Sequence, residues 1–162
     1  MAKKKSMKLL TKGLRQCIFA VSIIKNKVIM EKSNPIEEAR RYVANAEEVI
    51  KKANYDLELN IYTDNKYVKT AGNILWSGCL VALDAALGVR TGKGRPSIEK
   101  YKEAAGKRDR KLLAAIVTGY ETMYFVMGYD GNQERKVCDA GFERANDIIN
   151  RCAKLCPAPA CA

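Results

Sequence analysis

Four stripes of small and apolar residues, each stepping alternately by three and four, constrain this chain more than any other feature. Ile36, Ala39, Val43, Ala46, Ile50 and Ala53 form the first, and Val68, Ala71, Leu75, Gly78, Ala82 and Ala85 the second. Leu113, Ile116, Tyr120, Met123 and Met127 form the third; Cys138, Gly141, Ala145, Ile148, Cys152 and Leu155 form the fourth. Such spacing lines each set along one side of an α-helix and suits helices crossing at about 20° in a left-handed bundle. No window offers the sustained alternation of a strand. The pattern predicts an all-α fold: an antiparallel four-helix up-and-down bundle, with a short extra helix in the connection between the second and third long helices.

Start and stop signals agree. Asn34 is a natural N-cap, Pro35 fits the first helical position, and Glu37 stands where a capping box needs it. Gly88 ends the second helix, and Ser97 can cap a short one running to about Gly106. Gly128-Tyr129-Asp130-Gly131 reads as a tight turn that makes the last two long helices an antiparallel hairpin. Glycines 72, 78, 119 and 141 fall inside helices, each at a cost of ~1 kcal/mol relative to Ala. Close backbone approach at helix crossings is their expected return.

The chain of 162 residues supports one domain. Its net charge of +11 suggests nucleic acid until it is located. Residues 1–30 hold eight of the 29 Lys and Arg and none of the 18 Asp and Glu, which leaves 21 against 18 beyond them. A general electrostatic argument for nucleic-acid binding by the folded part therefore fails. The division expected is a basic leader over 1–33 without a fold of its own, a helical bundle over 34–155, and a Cys/Pro/Ala tail over 156–162.

Within the leader, the charges precede an apolar stretch from Cys17 to Ile24, an arrangement that resembles a signal peptide. However, Lys25 and Lys27 follow at once, no small-x-small cleavage site is present, and eight apolar residues cannot span a bilayer. Met30 is read as opening the functional domain, with a peripheral membrane anchor as the alternative for the segment before it. No transmembrane segment is expected. Cys79, Cys138 and Cys152 fall inside helices, where free thiols act as small apolar fillers. Cys152, Cys156 and Cys161 have spacings that could converge on a metal, but without histidine they form an incomplete zinc set beside a frayed end. The expectation is no metal, no cofactor and a reducing, cytoplasmic compartment.

Candidate chemistry is sparse. Thr91-Gly-Lys-Gly-Arg-Pro96 lacks the spacing and the strand of a Walker loop. It is a basic, Gly-rich connection, or else an anion contact by Lys93 and Arg95 near the Ser97 helix start. Asp84 interrupts the apolar run from Leu80 to Leu87 and continues a polar strip through Ser77, Asn73, Thr70 and Lys66. At the C-terminal end of a helix a carboxylate is disfavoured by the dipole, so Asp84 is expected to pair with a basic residue between Arg95 and Lys111. Lys107-Arg-Asp-Arg-Lys111 is the densest charge cluster, suited to phosphate or to a solvated helix start with Asp109 pairing internally. Tyr42, Tyr67, Tyr120, Tyr124 and Tyr129 read as core or core-edge by helical position. No nucleophile arrangement and no catalytic residue stands out. The candidate ligand-binding set is Asp84, Arg95, Tyr101, Lys107, Arg108, Lys111, Tyr129 and Asp130.

From about Asn34 to Leu155 the chain resembles an uncharacterised bacterial family of helical bundles. The matching stretches are Glu37–Tyr42, Lys66–Gly72, Ala82–Ala85, Gly94-Arg95, Lys107–Leu112 and Gly128–Gly131. That family carries no established activity. More distantly the bundle is similar to HEPN (higher eukaryotes and prokaryotes nucleotide-binding) domains and to nucleotidyltransferase substrate-binding subunits. HEPN ribonucleases use an Arg-x4–6-His motif, and this chain has no histidine, so the resemblance does not extend to RNA cleavage. The function expected is a non-enzymatic HEPN-like module that forms a homo-oligomer or binds a protein partner. The alternative is a nucleotide- or RNA-binding accessory domain using Lys93, Arg95 and the Lys107–Lys111 cluster, with an unrecognised enzyme as a third class. An apolar face would favour a protein partner, and a basic cleft with exposed aromatics a nucleotide.

Overall fold

The computed structural model describes residues 34–90, 92 and 94–156, and these are mostly helical. The leader, Thr91, Lys93 and the tail beyond Cys156 lie outside the described residues, and with them the readings placed on the leader, Lys93 and Cys161. Helix α1 spans Pro35–Ile50, followed by a two-residue antiparallel hairpin of β1 (Tyr55–Asp56) and β2 (Ile61–Tyr62). Helix α2 spans Asn65–Leu87, α3 Ile98–Arg108 and α4 Arg110–Gly119. The chain then continues as a π-helical segment, Tyr120–Asp130, and ends in α5, Arg135–Leu155.

The stripes supply most of the core, with Leu113, Tyr120 and Leu155 half-buried at its edge. Every member of the first is buried, including Ala53, three residues beyond the end of α1. In α2 the stripe holds through Ala82, but Ala85 is exposed and Leu83, Ala86 and Leu87 are buried instead. A straight helix drifts away from a 3.5-residue repeat, so a seam extrapolated over five turns ends on the wrong side. Helix α2 is central, touching α1, α3, α5 and the π segment. Its 23 residues are long and apolar enough to cross a membrane, yet 61% of the apolar window is buried inside the protein.

The glycines behave as close-approach sites. A Cβ on Gly72 would lie 2.7 Å from the Met123 carbonyl oxygen and 2.8 Å from the Gly128 nitrogen. One on Gly78 would meet Tyr42 Cβ at 2.6 Å and the Ala39 carbonyl at 3.1 Å. Gly119 abuts Ile148 and Gly141 abuts Met127, so α5 runs opposite to the α4–π unit, as the expected hairpin requires.

Three local expectations need correction. Asn34 caps α1 by accepting from the Ile36 N–H at 3.0 Å, but Glu37 lies 3.8 Å from Arg40 and does not reach back to complete a box. The junction between the short helix and the third long one falls inside the Lys107–Lys111 cluster. Helix α3 runs to Arg108, Asp109 turns extended, and its carboxylate caps α4 from the Lys111 N–H at 2.7 Å. Gly128-Tyr129-Asp130 is not a turn but the end of the π segment, which Gly131 terminates at φ 72°. The hairpin between α1 and α2, too short to alternate visibly, is fastened by the Tyr62 N–H to the Gln133 carbonyl at 2.9 Å.

Candidate functional site

Asp84 sits one turn before the end of α2, where Gly88 closes the helix in the left-handed region. One carboxylate oxygen accepts the Tyr101 hydroxyl, and the other lies 3.8 Å from Arg90 Nη1. The expected partner between Arg95 and Lys111 is therefore a phenol, and the cation is Arg90. The connection doubles back immediately after Gly88, and this brings Arg90 to the carboxylate before the chain reaches Arg95. Tyr101 is wholly buried; burial first, then the Asp84 carboxylate, push its phenol far above the ordinary range and keep it a donor. Arg108 reaches the same helix end by donating from Nη1 to the Ala86 carbonyl at 2.7 Å, satisfying one of its orphan acceptors.

Beside this knot lies a cavity of about 330 Å³. Helix α2 supplies Asn73, Trp76, Ser77 and Leu80 to its wall, the connection Arg95 and Pro96, and α3 Ile98 and Tyr101. The π segment closes it with Tyr120 and Tyr124. The rings form a ladder. Trp76 and Tyr120 are 5.2 Å apart at 54°, and Tyr120 and Tyr124 are stacked at 5.0 Å and 11°. Phe125 meets both tyrosines edge-on at 5.1 and 5.3 Å. Trp76 is buried and Tyr124 is 40% exposed, so the ladder runs from core to solvent. A π-helical stretch, found often at functional sites, sets the spacing of the two tyrosines.

The sequence-derived set is split by the fold. Asp84, Arg95 and Tyr101 come together here. Lys107 and Arg108 border a separate cleft of about 400 Å³ with Leu87, Val89, Lys100 and Glu103, where Lys107 pairs with Glu103 at 2.6 Å. Lys111 is exposed at the start of α4. Tyr129 and Asp130 are exposed at the far end of the π segment, next to the residue that packs on Lys69 near the start of α2. They belong to the opposite end of α2 from Asp84. Tyr124 and Tyr129 are exposed and not core, while Tyr42, Tyr67 and Tyr120 sit at its edge. Trp76 and Tyr120 were not among the expected site residues, although Trp76 adjoins Ser77 on the polar strip that leads to Asp84.

The described thiols lie mostly in the interior. Cys79, Cys138 and Cys152 are free and buried, and Cys156 is half-buried. Desolvation pushes Cys138 and Cys152 up to about 12. Among the described residues no three His, Cys, Asp or Glu side chains converge as a metal site would need.

Residues 34–154 match the family described as a domain of unknown function (DUF5618). A solved protein of unknown function from Dyadobacter fermentans is similar: it is 34% identical, with a TM-score of 0.66 over 74% of this chain and 93% of that one. No curated protein matches.

Proposed function

We propose that this chain, which belongs to the DUF5618 family, is a non-enzymatic binding module whose working site is the aromatic cavity between α2, α3 and the π segment. The reading is carried by one coincidence. A cavity within the size range of small-ligand sites is walled by Trp76, Tyr101, Tyr120 and Tyr124 and rimmed by Arg95, whose charge has no carboxylate partner among the described residues. Ligand sites combine such apolar walls with a few placed polar groups, and Ser77 and Asn73 supply them here. The wider frame of the proposal is an up-and-down four-helix, HEPN-like architecture in a cytoplasmic protein, which without histidine does not cleave RNA by the imidazole chemistry of HEPN ribonucleases.

Protein-observed NMR with a collection of small aromatic and aliphatic fragments tests the site. Fragments that shift the Trp76 indole resonance are expected, and Ser77→Phe, which fills the cavity from α2, should remove the effect. A collection that leaves the indole untouched, or shifts that persist in Ser77→Phe, would overturn the reading.

A second reading, pairing of two copies, is favoured by Val117 and Phe125, 41% and 45% exposed on the outer side of α4 and the π segment. Sedimentation should then show a dimer that Phe125→Ser dissociates; a monomer at high micromolar concentration rules it out.

A further inference from the structure

We infer that the cavity takes a planar heteroaromatic ring carrying an anionic group, the chemistry of a mononucleotide, with the ring against the Trp76–Tyr120–Tyr124 wall and the anion at Arg95. This rests on reading the cavity as the binding site. Two ligand chemistries suit a pocket with four aromatic side chains: a cation held over the ring faces, or another planar ring added to the stack. Charge decides between them. Arg95 is the sole formally charged residue among the ten that line the cavity. The nearest carboxylate, Asp84, offers no counterweight, because its oxygens are engaged by the Tyr101 hydroxyl and by Arg90. The rim is thus net positive, which repels a quaternary ammonium and attracts a phosphate or carboxylate.

The geometry adds two constraints. Tyr120 and Tyr124 already lie parallel, so a ligand ring continues an existing stack, and Trp76 tilts against the inner end of that wall. Polar recognition of the ring edge falls to α2. The Ser77 hydroxyl has no hydrogen-bond partner among the described residues and is free to meet a ring N–H or amino group, while Asn73 donates its amide nitrogen to the Lys69 carbonyl at 2.9 Å and turns Oδ1 toward Gly128. The volume suits one ring system and its anion. A strand of nucleic acid, which needs a groove and several stacking platforms, is not accommodated.

Trp76 is the single tryptophan of the chain, so its fluorescence reports on the cavity without a label. The full-length protein is titrated with AMP, GMP, CMP and UMP, and separately with the four matching nucleosides, inorganic phosphate, choline and a short single-stranded RNA. At least one monophosphate is expected to change the emission saturably and to bind about tenfold more tightly than its nucleoside, the gain from one charge-assisted contact. Arg95→Gln, at an exposed and unpaired side chain, should erase that tenfold difference and leave the nucleoside unaffected. Ser77→Phe should abolish both. A response to a nucleoside or to choline with none to any monophosphate overturns the ligand class and keeps the site. Silence from every probe overturns the site and the class together. Equal monophosphate binding by wild type and Arg95→Gln, or RNA binding far tighter than any monophosphate and unchanged in Ser77→Phe, also overturns the proposal.

Discussion

At the scale of single residues, the Asp84–Tyr101 pair ties the end of α2 to the middle of α3. Asp84→Ala leaves a wholly buried hydroxyl without its acceptor, and Tyr101→Phe takes the donor from a partly buried carboxylate. Each should lower unfolding stability by about 1–3 kcal/mol in denaturant titration; a change below a few tenths in both would show that the pair carries no stability. Alkaline pH gives a second test. The buried thiols of Cys138 and Cys152 are raised from 9.0 to about 12, and the Tyr101 phenol is raised from 10.0. Above pH 9 the unfolded chain has therefore released protons that the folded chain still holds, and stability falls as pH rises. Thermal melts should be level from neutral pH to about 9 and decline steeply above it; a level profile to pH 11 would contradict the burial of these groups. Asp84 could be singled out in the sequence because a carboxylate in an apolar run needs a reason. Its cation could not, because residues six apart meet only when Gly88 reverses the chain. Trp76, Tyr120 and Tyr124 share a wall through the register of two helices, and one-dimensional spacing does not encode that register.

At the scale of elements, the glycines fix how closely the helices approach. Gly72→Ala drives a methyl into the backbone of Met123 and Gly128, neither of which can yield as a flexible side chain would. A loss of about 1–3 kcal/mol is expected. Gly106→Ala is the control: in α3 an added Cβ meets Leu113 Cδ2 at 3.4 Å, so relief of the helix penalty should leave stability unchanged or raise it by up to ~1 kcal/mol. Equal losses from both substitutions would refute the close-packing account. The stripes located the long helices because burial selects the residues that face inward. They missed the π segment for the same reason. Met123 and Met127 are buried where a 3.5-residue repeat puts them, while the backbone between them winds more widely. Hydrophobic pattern records which side chains are inside, and not how many residues complete a turn.

At the scale of the whole molecule, charge and fold separate. Residues beyond 30 carry 21 basic and 18 acidic side chains, so any salt-sensitive retention on polyanions is expected to belong to the leader. A chain beginning at Met30 should unfold cooperatively with the full-length midpoint and lose that retention on heparin or DNA resin. Retention unchanged by the truncation would move the polyanion site onto the bundle, and loss of cooperative unfolding would make the leader part of the fold. The all-α class was readable from periodicity alone, because four amphipathic stripes have few ways to hide from water. The cavity was not, since it is a space left between elements and no residue type announces a gap.

The π-helical stretch also bears on how the length of this chain can vary. Deleting one residue from α2 would rotate every later side chain of that helix by about 100°, turning Leu83 and Leu87 toward solvent. Between Tyr120 and Asp130 the wider winding already holds more residues per turn than an α-helix, so a one-residue deletion there lets a turn tighten to ordinary spacing. Gly131 and the hairpin contact at Gln133 can then stay in place. The same residues that wall the cavity thus form the stretch of the helical core most tolerant of a lost codon, and a change of length there would reshape the binding site before it threatened the fold.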